Sequence, residues 1–175
     1  YLCVAVGNAL LYNHRCRRFS RLDGLTMLLN RTQYEKDLER IKPPAVIINM
    51  DVDDFKQIND TSGHAAGDYY LRQIAEVIRT VYGRHGDCYR YGGDEFSLIL
   101  TKNLHQMEKL NGMFEAALGQ LREQDHKMPM VSLGYALYEG GIEALYATIE
   151  KADAMMYRNK KVNDRAEIVE NAAEF

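Results

Sequence analysis

Two clusters of acidic residues lie beside apolar runs and could together bind a metal ion. The first is Asp51-Val52-Asp53-Asp54, and the second is Asp94-Glu95. Successive residues of a strand face opposite ways, so Asp51 and Asp53 are expected on one face, where a buried carboxylate needs a cation as its partner. Carboxylates that converge from two neighbouring strands suit a hard divalent cation such as Mg²⁺ or Mn²⁺. Each cluster alone could instead cap a helix or lie in a turn.

The residues between the two clusters include candidates for binding phosphate and a purine base. A loop that leaves a strand and opens a helix presents free backbone N–H groups to an anion, and Lys56 adds a positive charge there. Asn59 and Asp68 form a donor and acceptor pair that could bind the edge of guanine, although both residue types are also common in caps and turns. His64 follows Gly63, and its spacing favours a structural hydrogen bond over a role as a base.

The apolar pattern around these residues predicts helices and strands that alternate along the chain. The predicted helices cover residues 30–41 with Asn30 as the cap, 66–82, 104–123 and 142–160, and the predicted strands cover residues 45–50, 88–91, 96–100, 130–137 and 167–169. Between two of the strands, Gly92-Gly93-Asp94-Glu95 forms a hairpin turn in which the glycines are expected at positive φ. This order predicts an α/β (α+β) sandwich of ferredoxin-like type, with a central, mostly antiparallel sheet flanked by helices.

Length and composition describe one ordinary globular domain. The chain has 175 residues, of which 46% are hydrophobic and 27% charged, with 22 Lys and Arg against 25 Asp and Glu. The net charge of −3 argues against a nucleic-acid partner, because a surface that neutralises many phosphates needs a surplus of Lys and Arg. Cys3, Cys16 and Cys88 have no metal-ligand spacing, and a reducing cytosol is the simplest setting for them. The apolar segment of residues 1–12 is too short to cross a bilayer.

The first 20 residues have a pattern of their own. Apolar residues recur there seven apart, as the seam of a coiled coil requires. The two series are Leu2/Ala9/Cys16 and Ala5/Tyr12/Phe19. We therefore predict a signalling or linker helix over residues 1–20, followed by one domain over residues 21–175. The pattern covers fewer than three heptads, so an amphipathic helix packed on its own domain is the alternative.

Six ordered motifs give the chain a resemblance to the GGDEF-type diguanylate cyclases. The motifs are Asp23-Gly24-Leu25-Thr26 with Asn30-Arg31, Asp51-Val52-Asp53-Asp54-Phe55-Lys56, Asn59-Asp60 with Gly63-His64 and Gly67-Asp68, Arg90-Tyr91-Gly92-Gly93-Asp94-Glu95-Phe96, Ser132-Leu133-Gly134, and Ala152-Asp153 with Met156-Tyr157 and Lys160. The resemblance implies a nucleotidyl-cyclase-like fold. It also implies an enzyme that joins two GTP molecules into cyclic di-GMP and releases two pyrophosphates.

The resemblance implies metal-binding and catalytic roles for particular residues. Asp51, Asp94 and the Val52 carbonyl would bind Mg²⁺ or Mn²⁺. Glu95 would help to bind the metal and would favour deprotonation of the attacking 3′-hydroxyl. Asp94, Glu95 and Lys56 form the catalytic set.

The resemblance also implies a set of GTP contacts. These residues are Phe55, Lys56, Asn59, His64, Asp68, Leu71, Gly92, Gly93 and Lys160. Within the set, Asn59 and Asp68 would read guanine, and Leu71 would lie under the base. Phe55 and the two lysines would contact the terminal phosphates.

Partners and location follow from the same resemblance. Each domain of this type holds one GTP, so the working enzyme is expected to be a cytoplasmic homodimer, even where the full-length protein is tethered to a membrane. Residues 5–12 are similar to the closing helix of GAF sensor domains, which implies an upstream sensor domain. The alternative is a catalytically weak module that binds GTP or cyclic di-GMP as a regulator. A cyclase that accepts ATP is disfavoured because Asp68 keeps a carboxylate suited to guanine.

One departure from the family pattern concerns inhibition by the product. Arg84 and Asp87 have the letters of an inhibitory RxxD site, but four residues rather than five separate Asp87 from Gly92. A one-residue shift along a strand turns side chains to the other face. We therefore predict weak or absent product inhibition through this site.

Two further departures are single positions. Asp164 stands where the family has a phosphate-binding Arg after Lys160, and either Lys161 or Arg165 could take over that role. Met27 replaces a Gly, for which we expect only a local adjustment of the loop.

Overall fold

The computed structural model describes the backbone of residues 21–173 and the side chains of residues 21–163. The strands are β1 (Leu29–Asn30), β2 (Ala45–Val52), β3 (Gly86–Arg90), β4 (Glu95–Leu100) and β5 (Val131–Tyr138). The helices are α1 (Arg31–Leu38), α2 (Phe55–Ser62), α3 (His64–Tyr82), α4 (Met107–Gln124) and α5 (Ile142–Ala173), and a 3₁₀ turn covers Leu104–Gln106. None of the helices in this part of the chain is both long and apolar enough to span a membrane. The helix predicted for residues 1–20 lies outside the described residues.

The five strands form one sheet in the order β1-β3-β4-β2-β5. Three of the neighbouring pairs are antiparallel, and only the short β1 pairs in parallel, with β3. This confirms the prediction of a central, mostly antiparallel sheet flanked by helices. The strand that carries the first acidic cluster, β2, lies between β4 and β5 near the middle of the sheet.

Side chains of β2 alternate between two layers. Val46, Ile48 and Met50 belong to the main core, together with apolar residues of α3 and α4. Asn49 and Asp51 point to the opposite face, where they contact residues of α5. One face of the strand therefore packs the core while the other makes polar contacts with the last helix.

The close approach of β5 to α5 depends on Gly134. A Cβ built at this position would lie 2.1 Å from the Ala152 carbonyl oxygen and 2.2 Å from the Met156 nitrogen, both in the backbone of α5. Only glycine leaves room for this contact. One turn later, Asn159 Nδ2 donates to the Leu133 carbonyl over 2.7 Å, which fixes the helix at the end of the sheet.

Three predictions about the elements are wrong. Residues 167–169 are helical, within α5, and do not form a strand. The segment after β2 was expected to be a loop but contains α2, whose eight residues include only two large apolar side chains, Phe55 and Ile58. Gly92 and Gly93 do not have positive φ. A Cβ at position 92 would lie 2.6 Å from Oε2 of Glu95, so the side chain of Glu95 would have to shift to make room for it.

Candidate active site

The two acidic clusters meet on neighbouring strands. Asp51 of β2 stands opposite Glu95, the first residue of β4, in antiparallel register. The Val52 N–H donates to the Asp94 carbonyl over 3.1 Å and so ties the end of β2 to the hairpin loop. The structure therefore brings together the carboxylates that the sequence predicts to converge.

Arg90 holds the hairpin loop that carries Asp94. Its guanidinium donates to the Gly93 carbonyl from Nη2 over 2.7 Å and from Nε over 3.1 Å, and its Nη1 donates to Asp23 Oδ1 over 3.2 Å. Asp23 also accepts from the N–H and the hydroxyl of Thr26, at 2.8 and 2.7 Å. The turn at Asp23 thus positions the loop through Arg90, a role that the sequence pattern did not indicate.

We expect Asp23→Asn to destabilise the protein by about 2 kcal/mol at neutral pH, because it removes a charged acceptor of several hydrogen bonds. Burial opposes the charge of Asp23, but the hydrogen bonds from Thr26 and Arg90 lower its pKa overall from the ordinary 3.8. A lowered folded-state pKa means that this stabilisation is present above pH 3.8 and is lost as the pH falls through the folded value. Denaturant unfolding of both proteins at neutral and acidic pH measures the difference. A difference that is absent at neutral pH, or unchanged in acid, would contradict this account.

Lys160 of α5 reaches the first acidic cluster. Its Nζ donates a hydrogen bond to Asp51 Oδ1, and the two side chains are 33% and 17% exposed. Burial opposes the charge of Lys160, but the bond to Asp51 and the charges of Asp53 and Asp94 raise its pKa overall. The ammonium group therefore stays protonated among the carboxylates.

Asp53 is the deeply buried carboxylate of the first cluster, with 5% of its surface exposed. Its Oδ2 accepts from Ser132 Oγ and from Asn163 Nδ2, each over 2.9 Å, while Oδ1 is buried without a hydrogen-bond partner among the described residues. Burial raises the pKa of Asp53, and the two donors offset part of that rise. Neutral donors are the direct partners of Oδ2, and the charge of Lys160 also favours the ionised form of Asp53, so the expectation of a cation partner for this carboxylate stays a prediction.

Polar contacts with α5 recur at alternate residues along β2 and just beyond its end. The pairs are Asn49–Asp153, Asp51–Lys160 and Asp53–Asn163. Because alternate residues share a face, these pairs set the position of α5 over the acidic cluster. Strand periodicity predicts the shared face of Asp51 and Asp53. It cannot identify partners that lie more than 100 residues away along the chain.

The acidic residues fit a divalent cation that is held partly by its substrate. Burial raises the pKa of Glu95, and the charges of Asp51 and Asp94 raise it further, so these carboxylates repel one another. A divalent cation would relieve that repulsion, and proteins often hold Mg²⁺ by one or two carboxylates together with phosphate oxygens and water. Among the side chains that the structure describes, no three Asp, Glu, His or Cys residues are grouped closely enough to hold a metal. The donor set therefore suits Mg²⁺ or Mn²⁺ shared with phosphate.

The candidate guanine-binding residues lie where α2 meets α3. Gly63 joins the two helices with a φ of 83°, which favours glycine. A Cβ on Gly67 would lie 2.2 Å from Asn59 Oδ1 and 3.0 Å from Phe55 Cζ, so both side chains pack directly against the first turn of α3. Asp68 is half-buried and follows Gly67 on that helix. The structure therefore places Asn59 and Asp68 on adjoining turns of the two helices.

The other predicted GTP contacts have varied surroundings. Lys56 is exposed in the first turn of α2, and His64 is exposed at the start of α3. Leu71 is buried in the main core, with 1% of its surface exposed. Gly92 and Gly93 lie in the hairpin loop beside Asp94. The roles assigned to these residues stay predictions.

Arg84 and Asp87, the charged residues of the RxxD motif, are shifted by one position from the register that an inhibitory site needs. Arg84 is exposed in the turn before β3, and Asp87 lies on β3 opposite Ile99. The motif needs its Asp at a position that five residues separate from Gly92. That position is residue 86, which is a glycine in this chain. A Cβ there would lie 2.1 Å from the Ile99 carbonyl oxygen, so the position has no room for a side chain.

We expect Arg84→Ala to change the affinity for cyclic di-GMP by less than about twofold, because an exposed side chain out of register contributes little. Isothermal titration calorimetry of wild type and variant with cyclic di-GMP measures this. Tight binding that depends on Arg84 and persists when GTP occupies the active site would overturn the prediction.

Of the two single-position departures, Met27 and Asp164, only Met27 lies among the described side chains. Met27 has a φ of 58°, a left-handed conformation that glycine adopts freely, so Met keeps the turn at a cost of about 1 kcal/mol. The Lys161 ammonium lies over the ring of Tyr157, 4.4 Å from its centroid. The side chains of Asp164 and Arg165 lie outside the described residues, and the substitution at the expected Arg position stays a prediction of altered phosphate binding.

Comparison with known proteins gives consistent matches over this region. The family model for the GGDEF domain of diguanylate cyclases matches residues 20–165. Diguanylate cyclase DgcS of Shewanella oneidensis is 32% identical over 162 residues, which cover 87% of this chain and 53% of DgcS. Diguanylate cyclase DosC of Escherichia coli is 29% identical over 163 residues, which cover 86% of this chain and 35% of DosC. The chain thus spans about half of the first relative and about a third of the second.

Solved structures agree with these sequence matches. The coiled coil and GGDEF domain of DgcB from Caulobacter crescentus, in complex with c-di-GMP, superposes with a TM-score of 0.77 at 27% identity, covering 91% of this chain and 90% of that one. Diguanylate cyclase SiaD of Pseudomonas aeruginosa, in complex with its activator SiaC, gives a TM-score of 0.72 at 26% identity over 92% of this chain and 66% of SiaD. Since the family model covers most of the sequence, from residue 20 to residue 165, this chain belongs to the GGDEF domain family of diguanylate cyclases.

Proposed function

We propose that this chain is the catalytic domain of a diguanylate cyclase that condenses two GTP molecules into cyclic di-GMP. The observation that carries the proposal is the pairing of Asp51 with Glu95 on neighbouring strands, with Lys160 against Asp51. Negative charge for a divalent cation and positive charge for phosphate thus lie in one site. Phosphoryl-type transfer needs mainly positioning and charge neutralisation, so no separate nucleophilic side chain is required.

Metal binding in this proposal uses the ends of two strands. Asp51, Asp94 and the Val52 carbonyl would hold Mg²⁺ or Mn²⁺, with Glu95 beside them. When bound, the metal supplies charge neutralisation at the phosphates. The hydrogen bond from the Val52 N–H to the Asp94 carbonyl keeps these groups together in its absence.

The transfer itself uses the charged side chains around the phosphates. The 3′-oxygen of one GTP forms a bond to the α-phosphorus of the other, the bond to the pyrophosphate oxygen breaks, and the 3′-hydroxyl proton leaves. Glu95 is the carboxylate assigned to favour that loss of a proton, because it stands opposite Asp51 at the proposed metal site. Lys56 and Lys160 neutralise the terminal phosphates, and a second such transfer closes the ring.

Selectivity for guanine is assigned to Asn59 and Asp68. A carboxylate accepts hydrogen bonds from the N1–H and the neighbouring 2-amino group of guanine, whereas adenine has an acceptor at N1 and no 2-amino group. The contact of Asn59 with Gly67 supports its position beside Asp68. A cyclase that accepts ATP is the less favoured reading, and product analysis from mixed GTP and ATP distinguishes the two.

The working unit is proposed to be a homodimer in the cytoplasm, since each domain holds one GTP and the reaction joins two. The experiment is a GTP turnover assay over a range of protein concentrations with Mg²⁺ in excess. A dimeric enzyme gives a rate per chain that rises with concentration and then levels off. A rate per chain that is constant while the protein is monomeric by light scattering would rule out the dimer.

A regulatory module that binds GTP or cyclic di-GMP without turnover is the second candidate. Two observations favour it: Asp164 stands in place of the family's Arg, and the similar DgcB structure is a complex with c-di-GMP.

The proposed architecture also includes the upstream helix over residues 1–20 and a GAF-like sensor domain before it. Under either candidate, that helix would carry the sensor's signal to the domain.

A further inference from the structure

The ion pair between Lys160 and Asp51 places a positive charge where the proposed metal would bind. Lys160 Nζ donates directly to Oδ1 of Asp51, and the two side chains are only 33% and 17% exposed. Asp51 is also the residue that faces Glu95 across the β2–β4 pairing. A divalent cation bound by Asp51 would therefore compete with the ammonium group for this carboxylate.

The surroundings of Lys160 favour this position for its ammonium. Asp51, Asp53 and Asp94 all contribute negative charge at the Nζ position. An ammonium among three carboxylates neutralises part of the repulsion that a divalent cation would otherwise relieve. Lys160 thus reduces the repulsion among these carboxylates, as a bound divalent cation would.

The backbone of α5 is fixed on both sides of Lys160, while the lysine side chain has four rotatable carbon–carbon bonds and is 33% exposed. Asn159 Nδ2 donates to the Leu133 carbonyl over 2.7 Å. Asn163 Nδ2 donates to Asp53 Oδ2 over 2.9 Å and to Ser132 Oγ over 3.0 Å. Movement of the ammonium group therefore requires only rotation of the long side chain and leaves the helix in place.

We propose that Lys160 is an exchangeable counter-ion of Asp51, which leaves that carboxylate when a divalent cation binds and then pairs with phosphate oxygens. The proposal rests on the proposed function in one respect, that the phosphate belongs to a nucleoside triphosphate. Binding of the cation and binding of the phosphate then support each other, because the ammonium released by one is taken up by the other. The same side chain consequently weakens metal binding before nucleotide arrives and strengthens nucleotide binding afterwards.

The test is a neutral substitution of similar length, Lys160→Met, with two ligands measured separately. In the absence of nucleotide, we expect the variant to bind Mn²⁺ alone roughly 3- to 10-fold more tightly than wild type, because its competitor at Asp51 is gone. With Mg²⁺ in excess, we expect it to bind GTP roughly 10-fold more weakly, because a charge at the phosphates is gone. Mn²⁺ binding is measured by electron paramagnetic resonance of the free ion and GTP binding by calorimetry.

Two control variants separate a direct pairing from a general effect of charge. Lys151→Met removes the same charge from an exposed position earlier on α5, and we expect it to change Mn²⁺ affinity by less than about twofold. Lys160→Arg keeps the charge and a donor for Asp51, and we expect Mn²⁺ affinity no higher than in wild type. Circular dichroism of each variant checks that it is folded.

The proposal is overturned if folded Lys160→Met binds Mn²⁺ no more tightly than wild type, or if Lys151→Met gains as much. Neither arm measures turnover. A protein that binds Mn²⁺ as described but makes no cyclic di-GMP would therefore contradict the proposed function and leave the counter-ion role standing. A protein that makes cyclic di-GMP but whose Lys160→Met variant gains no affinity for Mn²⁺ would contradict only the counter-ion role.

Discussion

Asp94→Asn is expected to reduce the formation of cyclic di-GMP by at least about a hundredfold, the loss that follows when one charged stabiliser of a phosphoryl transfer is removed. The change replaces a proposed metal carboxylate by a neutral side chain of the same shape. The backbone carbonyl of Asp94 still accepts from the Val52 N–H, so the loop keeps its tie to β2. Turnover of GTP with excess Mg²⁺, followed by chromatography, measures the loss.

The matched control for this variant is Glu123→Gln, which makes the same chemical change at an exposed residue of α4. We expect its turnover and its melting temperature to equal those of wild type. Asp94→Asn should melt close to wild type as well. An Asp94→Asn protein that keeps wild-type turnover would exclude Asp94 from the metal site.

Gly134→Ala is expected to destabilise the protein by about 3 kcal/mol, which lowers the melting temperature by about 10 °C for a chain of this size. The added Cβ would lie 2.1 and 2.2 Å from two backbone atoms of α5, so the helix must move away from β5. That movement also displaces Lys160 and Asn163 from the acidic cluster. We therefore expect turnover to fall along with stability.

The control uses the same substitution where space is available. Gly112 and Gly119 lie within α4, and a Cβ at either position would meet nothing within 4 Å. Alanine at these positions should stabilise the protein by about 0.5–1 kcal/mol, because glycine is a poor helix former. Thermal unfolding of the three variants gives the comparison. A Gly134→Ala protein as stable as wild type would show that β5 and α5 can separate without cost.

Local patterns in the sequence predicted most of the fold. A continuous apolar run identified β2, and strand alternation predicted the shared face of Asp51 and Asp53. Asn30 does cap α1, by accepting from the Gln33 N–H over 3.0 Å. Two short elements, β1 and α2, were not predicted. The two-residue β1 has no period to detect, and α2 is only eight residues long, which is about two helical turns.

The parts of the site that could not be predicted depend on contacts between distant residues. The position of Asp23 beneath Arg90 requires the parallel pairing of β1 with β3, which no local pattern encodes. The sequence does not distinguish Asn163 from other polar helix residues, because its contacts with Asp53 and Ser132 form only when α5 packs over β5. The predicted positive φ at Gly92 and Gly93 was wrong, because the hairpin loop turns without a left-handed residue at either position.

The most direct measurement for the central claim is the product formed from GTP. Purified protein, incubated with GTP and Mg²⁺ at concentrations where it dimerises, should yield cyclic di-GMP and two pyrophosphates for each molecule of product. Mass spectrometry of the nucleotide and an enzymatic assay of pyrophosphate give both quantities. A folded, dimeric protein that binds GTP but forms neither product would contradict the assignment of this site as a cyclase.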